Sequence, residues 1–330
     1  MGGHLIWLTA WVSLVATVFE CTRWNWMTIP WVPVSLMGTA VAFYVGFKNN
    51  QAYDRLWEGR KIWGAIVNSS RAWGSMVRAY INDHFATEKH DPEALKAIHQ
   101  RLIYRHIAWL YALRSQLLQP MRWEHASLNN FVGTVNRKRM QKTGIGTLDP
   151  DLTEKMLKAH LSDADYRKFI QTRNPATHML DRQAQELSQL NETGLLNDFR
   201  HIDLQKQLVD LYAHQGMAER IKRFPLPRQY ASASFIFVVI FILLLPLGMV
   251  NEFSKLGPWG VWVSIPFCVV IGWVYVFMEI VGDYSENPFE GLSNDVPMYS
   301  LCRTIEIDLK EMLGETDLPE GVEARGGVLM

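Results

Sequence analysis

Residues 230–250 read YASASFIFVVIFILLLPLGMV, and residues 256–278 read LGPWGVWVSIPFCVVIGWVYVFM. Neither run holds an Asp, Glu, Lys or Arg. At 21 and 23 residues, both meet the roughly 20 apolar residues with which a helix crosses the hydrocarbon core of a bilayer. Working back along the chain, Ile29–Phe47 is charge-free over 19 residues and Leu5–Phe19 over 15. The last is short. No Lys or Arg precedes it and no small-residue cleavage site follows, so it does not read as a signal peptide. Ile6 stands where a myristoylation site needs Ser or Thr. It is read as a first span cut short at its N-terminal end. The expected fold class is therefore all-α: an integral membrane protein with four transmembrane helices and a large helical domain on one side.

The bulk composition hides this division. The 330 residues hold 33 Lys and Arg against 33 Asp and Glu, but nearly every charge falls in 48–228 or from Glu279 onward. The expected organisation is two spans in 1–47, a helical domain over 48–229, two further spans in 230–281, and a C-terminal segment and tail over 282–330. No basic run suggests nucleic acid. Cys21, Cys268 and Cys302 lie far apart and lack metal-type spacing, so they read as small buried hydrophobes.

Trp24, Trp26, Trp31, Trp259 and Trp262 gather at the ends of the spans, where amphipathic rings settle at headgroup level. The short loops 20–28 and 251–255 hold only Arg23 and Lys255 as basic residues. Lys48, Arg55, Arg60 and Lys61 follow the second span, and Lys222, Arg223 and Arg228 precede the third. The positive-inside rule then puts the large domain and both termini in the cytoplasm.

Within that domain, Leu56, Ile62, Trp63, Ile66 and Val67 recur at helical spacing, so the second span is expected to continue as one long helix to about Phe85. Asp83–Pro92 breaks it, and Pro92 starts a helix to about Gln119. Residues 120–150 read as loop, and Asp149-Pro150 as a cap and first turn. Ser162 with Asp165, and Asn174 with Pro175, mark further starts. A helix is expected from Gly194 to about Arg223 and a last one from Pro297 to about Leu313, followed by a disordered tail over 314–330.

Catalytic constellations are lacking: there is no phosphate-binding Gly-Lys loop, dinucleotide fingerprint or His-Glu-x-x-His. No enzyme, cofactor or metal is expected. His84, Glu88, His90 and Asp91 could ligate a metal, but they fall at a helix break where turn residues belong, and a solvated turn is the reading kept. Glu279 directly follows a charge-free run; it either lines an ion path or reaches back to the interface.

Two blocks carry more. The first is GFKNNQAYDRLWEGRKIWG over 46–64, with Asn49, Asn50, Tyr53, Asp54, Arg55, Trp57 and Glu58 inside it. The second is Asn287-Pro288-Phe289, leading into LCRTIEIDL over 301–309. Both resemble signatures of the bestrophin family in its bacterial branch, and the four-span plan is that family's over essentially the whole chain. The resemblance implies a homopentameric ion channel in the bacterial inner membrane, with the second spans around one pore. It implies a neck of three stacked rings at Thr39, Phe43 and Phe47 and a cytoplasmic aperture at Phe199, within Gly194–Phe199. Spacing i, i+4, i+8 does put Thr39, Phe43 and Phe47 on one helix face, where an apolar collar can gate by dewetting; without the resemblance, packing against a neighbouring helix would be preferred. Thr39 departs from the apolar residue usual at that ring. Only Glu290 and Asp295 stand where animal relatives carry an acidic calcium-binding run. The branch implies monovalent cations over chloride. The competing readings are a membrane-anchored scaffold or sensor binding a cytoplasmic partner, and a secondary transporter, whose internal symmetry is not seen.

Overall fold

A computed structural model describes residues 2–22, 28–84, 86, 89–124, 127, 134, 150–324 and 328–329. The long elements among them are α-helices: α1 Gly2–Thr22, α2 Trp31–Tyr80, α3 Pro92–Leu118, α4 Pro150–His160, α5 Asp163–Ile170, α6 Pro175–Glu192, α7 Asp198–Arg223, α8 Arg228–Ser254, α9 Gly260–Asp283 and α10 Met298–Met312. The chain divides into two units, Met1–Arg55 with Pro225–Glu286 and Leu56–Phe224 with Asn287–Met330. Helix α2 passes from the first into the second without a break.

Among the described residues, four helices lying wholly or in part in the first unit are long and apolar enough to cross a membrane: Gly3–Thr22, Trp31–Tyr80, Ser232–Ser254 and Gly260–Asp283. Helices suit this composition because the bilayer core offers no water to backbone amides, which must bond inside their own helix. The first candidate covers 20 residues rather than the 15 of the charge-free run. Counting only uncharged residues stops at Phe19, whereas a span ends at headgroup level, where Glu20 and Thr22 are tolerated. Leu8, Val12, Val34, Val41, Val45, Val238, Phe241, Ile242, Leu245, Met249 and Cys268 form the core between α1, α2, α8 and α9. Other large apolar side chains, such as Phe235, Leu243, Phe267 and Val270, face outward. Helices apolar on all sides are those of membrane spans. Trp259 and Trp262 are exposed at the start of α9; Trp24 and Trp26 lie outside the described residues.

In the second unit α3 lies at the centre, with Leu102 to Leu113 buried almost without interruption. Several polar groups taken into this core are paired. Arg105 Nη1 donates to Glu186 Oε2 at 2.6 Å and to Gln183 Oε1 at 3.0 Å, and Trp109 Nε1 donates to Gln215 Oε1 at 3.0 Å. Glu306 accepts from Tyr111 at 2.6 Å and from Arg303 at 3.0 Å, and lies 3.2 Å from His160 Nε2. Burial alone would raise the Glu306 carboxyl; the hydrogen bonds from His160 and Tyr111 and the Arg303 charge overcome it and hold it at about 2.

Helix boundaries follow local chemistry. Asp91 caps α3 through the Glu93 amide, Ser162 caps α5 through that of Asp165, and Asn174 caps α6 through that of Thr177. The cap expected at Asp149 and the loop glycines Gly144 and Gly146 lie outside the described residues, as does Glu88. One start was misplaced. Gly194, at φ +76°, ends α6, and α7 begins only at Asp198, where Asn197 Oδ1 accepts from the Arg200 amide at 2.9 Å. A left-handed glycine is a helix stop, not a start. The tail is held at its beginning, since Glu315 accepts from the Tyr104 hydroxyl at 2.9 Å.

A carboxyl whose folded pKa lies below its unfolded value of 4.5 contributes stability above that pH and loses it as pH falls through about 2. The shift corresponds to something on the order of 3 kcal/mol. Thermal unfolding of the purified protein against pH should therefore show a destabilisation between about 4.5 and about 2 that is weakened in Glu306→Gln. A variant curve parallel to wild type would remove Glu306 as its source.

Candidate functional site

The part of α2 within the first unit has two unlike faces. Val34, Gly38, Val41, Val45, Lys48 and Ala52 are buried, alternating four and three residues apart as one seam of a packed helix. On the other side Val32, Leu36, Phe43 and Phe47 are 66, 66, 67 and 65% exposed, with Thr39 exposed among them. The Thr39 hydroxyl donates to the Ser35 carbonyl at 3.0 Å, so much of its polarity is spent on its own helix. The three residues of the expected neck thus share one uncovered face.

The buried seam is fixed at two levels. At Gly38, the Tyr275 hydroxyl donates to the backbone carbonyl at 2.9 Å, and the Phe241 ring lies so close that a Cβ on Gly38 would stand 2.7 Å from it. Toward the C-terminal end of the seam, Lys48 Nζ donates to Glu279 Oε1 at 2.5 Å. Ser234 donates to the other carboxylate oxygen, and Asn49 Nδ2 donates to the Met278 carbonyl at 2.9 Å. Side-chain exposure is 1% for Lys48 and 10% for Glu279. The Glu279 carboxylate is therefore engaged by α2 and α8 rather than reaching out alone. Sequence reasoning missed Lys48 and Ser234. A signal was present, because Lys48 and Glu279 each stand at the first position after a charge-free run, with opposite signs.

In the second unit the two motif blocks meet. A Cβ on Gly59 would lie 3.1 Å from Pro288 and 3.3 Å from Phe289, so the glycine lets the Asn-Pro-Phe turn seat closely against α2. Phe289 is buried, Asn287 donates to Glu290 at 2.7 Å, and Asp295 Oδ2 accepts from the Glu290 and Leu292 amides, both at 2.9 Å. Lys222 reaches the Phe289 carbonyl at 3.3 Å and pairs with Glu124 at 2.5 Å. Burial, with Glu290 nearby, pushes the Asp295 carboxyl up, and burial pulls the Lys222 ammonium down. The acidic residues after Asn-Pro-Phe thus bond to their own turn. Among the described residues, no group of three His, Cys, Asp or Glu is arranged to hold a metal.

The remaining motif residues lie mostly at the surface. Tyr53 and Trp57 are 58 and 48% exposed, Asn50 and Asp54 are exposed, Arg55 is half-buried, and Glu58 pairs with Arg220 at 2.6 Å. Phe199, in the first turn of α7, is 82% exposed.

Four candidate spans among the described residues, with outward-facing apolar side chains and a buried ion pair between them, define a helical membrane protein. Residues 4–311 match the family model described as "Bacterial/Fungal Bestrophin protein", and the chain belongs to that family. It is a family of channels, not of enzymes. The chain is 26% identical over 287 residues to the voltage-dependent anion channel-forming protein YneE of Escherichia coli (strain K12), covering 87% of this chain and 78% of that one. It is 27% identical over 312 residues to a voltage-dependent anion channel-forming protein of Mesorhizobium japonicum, covering 93 and 80%. Its fold is shared with the crystal structure of a bacterial bestrophin homolog from Klebsiella pneumoniae, at a TM-score of 0.75 and 21% identity, covering 94% of this chain and 98% of that one.

Close packing beside the Lys48–Glu279 pair is testable. A Cβ on Gly282 would stand 2.0 Å from Asn49 Oδ1. Gly282→Ala should therefore destabilise the protein by about 1–3 kcal/mol, read as a lowered unfolding midpoint in detergent. An unchanged midpoint would show that α2 and α9 separate there at no cost.

Proposed function

We propose that this chain forms a homopentameric ion channel in which five copies of α2 surround a central pore, with Thr39, Phe43 and Phe47 as its neck. The observation that carries the reading is the row Val32, Leu36, Phe43 and Phe47, large apolar side chains left uncovered along one helix face. Around a closed axis such rows form a narrow apolar collar, which excludes water when tight and conducts when it widens. Thr39 lightens the collar at one ring. Phe199, exposed at the start of α7, is the proposed cytoplasmic aperture. The positive charges flanking α2 and α8 support a bacterial inner-membrane location with the second unit and both termini cytoplasmic.

The permeant species is a small monovalent ion. The neck residues carry no charge of either sign, so the sign rests elsewhere. The names of the relatives favour an anion over the monovalent cations that the branch resemblance implies.

Purified protein in a planar bilayer tests this reading directly. A current with a reversal shift under a salt gradient supports a channel, and the direction of the shift assigns the sign. An intact oligomer without current would favour the scaffold reading, and a monomer would leave Phe43 and Phe47 without a pore to line. In the conducting protein, Phe43→Ala should raise unit conductance roughly twofold or more by widening the collar. Unchanged conductance would take Phe43 out of the neck.

A further inference from the structure

The Lys48–Glu279 pair occupies an unusual place. Lys48 immediately follows Phe47 on α2, yet its side chain is 1% exposed and points to the face opposite the uncovered row. It is the one charged residue in the buried seam Val34, Gly38, Val41, Val45, Lys48, Ala52. Its carboxylate partner comes from α9 and is also held by Ser234 of α8, so three helices converge on one ion pair. Asn49 to Met278 adds a third contact one residue on, again between α2 and α9, with Gly282 packed against Asn49. Nearly three turns earlier on α2, Tyr275 of α9 holds Gly38. The stretch that carries Thr39, Phe43 and Phe47 thus lies between two fixed points on the same neighbouring helix.

We propose that the Lys48–Glu279 pair, with Ser234, is a latch that sets where the Phe43–Phe47 stretch of α2 sits, so that Glu279 acts as a positioning residue rather than as a carboxylate in the ion path. This rests on the channel reading for its effect on current, but not for its effect on the helix. The physical reason is the asymmetry of buried charge. A paired ammonium and carboxylate are tolerated in an apolar surrounding, whereas either one alone must find water or a new partner. Water is not available inside the apolar seam, so an unpaired Lys48 would turn out of it toward headgroup level at the end of the span. Such a rotation would carry Phe47, one residue away, off its line. Removing both charges removes the cause of rotation and lets the seam close again.

Glu279→Gln, Lys48→Met and the double variant test this in oligomers shown to have wild-type mass. The single changes should alter unit conductance or open probability at least threefold with an unchanged reversal potential, and the double variant should return to within twofold of wild type. Hydrogen exchange of the amides of 44–52 in nanodiscs gives a readout that needs no current. It should speed at least tenfold in each single variant and slow again in the double. Wild-type behaviour in Glu279→Gln by both measures would overturn the latch. A shifted reversal potential would overturn it in favour of an ion-path carboxylate. A double variant no closer to wild type than the singles would overturn the pairing. If wild type itself passes no current but the exchange pattern appears, the latch stands and the channel reading falls.

Discussion

A bilayer core supplies no water, and every charge or amide placed in it must be answered by another group of the chain. That constraint shapes the first unit. It makes the spans helical, because only a helix satisfies its own backbone. It also makes Lys48 and Glu279 a pair, because each ends an uncharged run and neither can be left alone. Breaking such a pair on one side costs about 3–5 kcal/mol where it is buried. The consequence is geometric as well as energetic. Pairing fixes the rotation of α2 about its own axis, and that rotation decides which side chains are covered and which form the open row from Val32 to Phe47.

The second unit answers the same constraint with more varied means. Arg105 shares Glu186 with Arg101, at 2.6 Å from each, and Glu306 gathers a phenol, an imidazole and a guanidinium. Each of these carboxylates is met by more than one donor, which is what allows ionised groups inside a helical core. The Asn-Pro-Phe turn follows suit. Glu290 accepts from the Asn287 side chain and Asp295 from two of the turn's own amides, and the turn sits beside the Lys222–Glu124 pair.

Glycine marks where the two motif blocks need each other. Gly59 belongs to the first block, and the absence of a Cβ there leaves room for the close approach of Pro288 and Phe289 of the second. The two stretches are more than 220 residues apart in sequence and form one packed contact. Each block was recognisable by itself, but its reason for being glycine or proline lies in the other.

The sequence by itself determined the spans, the single long helix after the second span, and most helix starts. Asp91, Ser162 and Asn174 declare their helices because capping is a contact between a side chain and an amide two or three residues away. Gly194 misled for a related reason: a glycine can begin or end a segment, and only its φ of +76° tells which. The first span was undercounted because charge alone does not say where the headgroups lie. What the tertiary structure alone decided was the pairing of residues 231 positions apart, Lys48 with Glu279, and the face of α2 that this leaves open. A helix of apolar residues has no preferred side until a neighbour covers one. Hydrophobicity put these segments in the membrane, and the buried charge told them which way to turn.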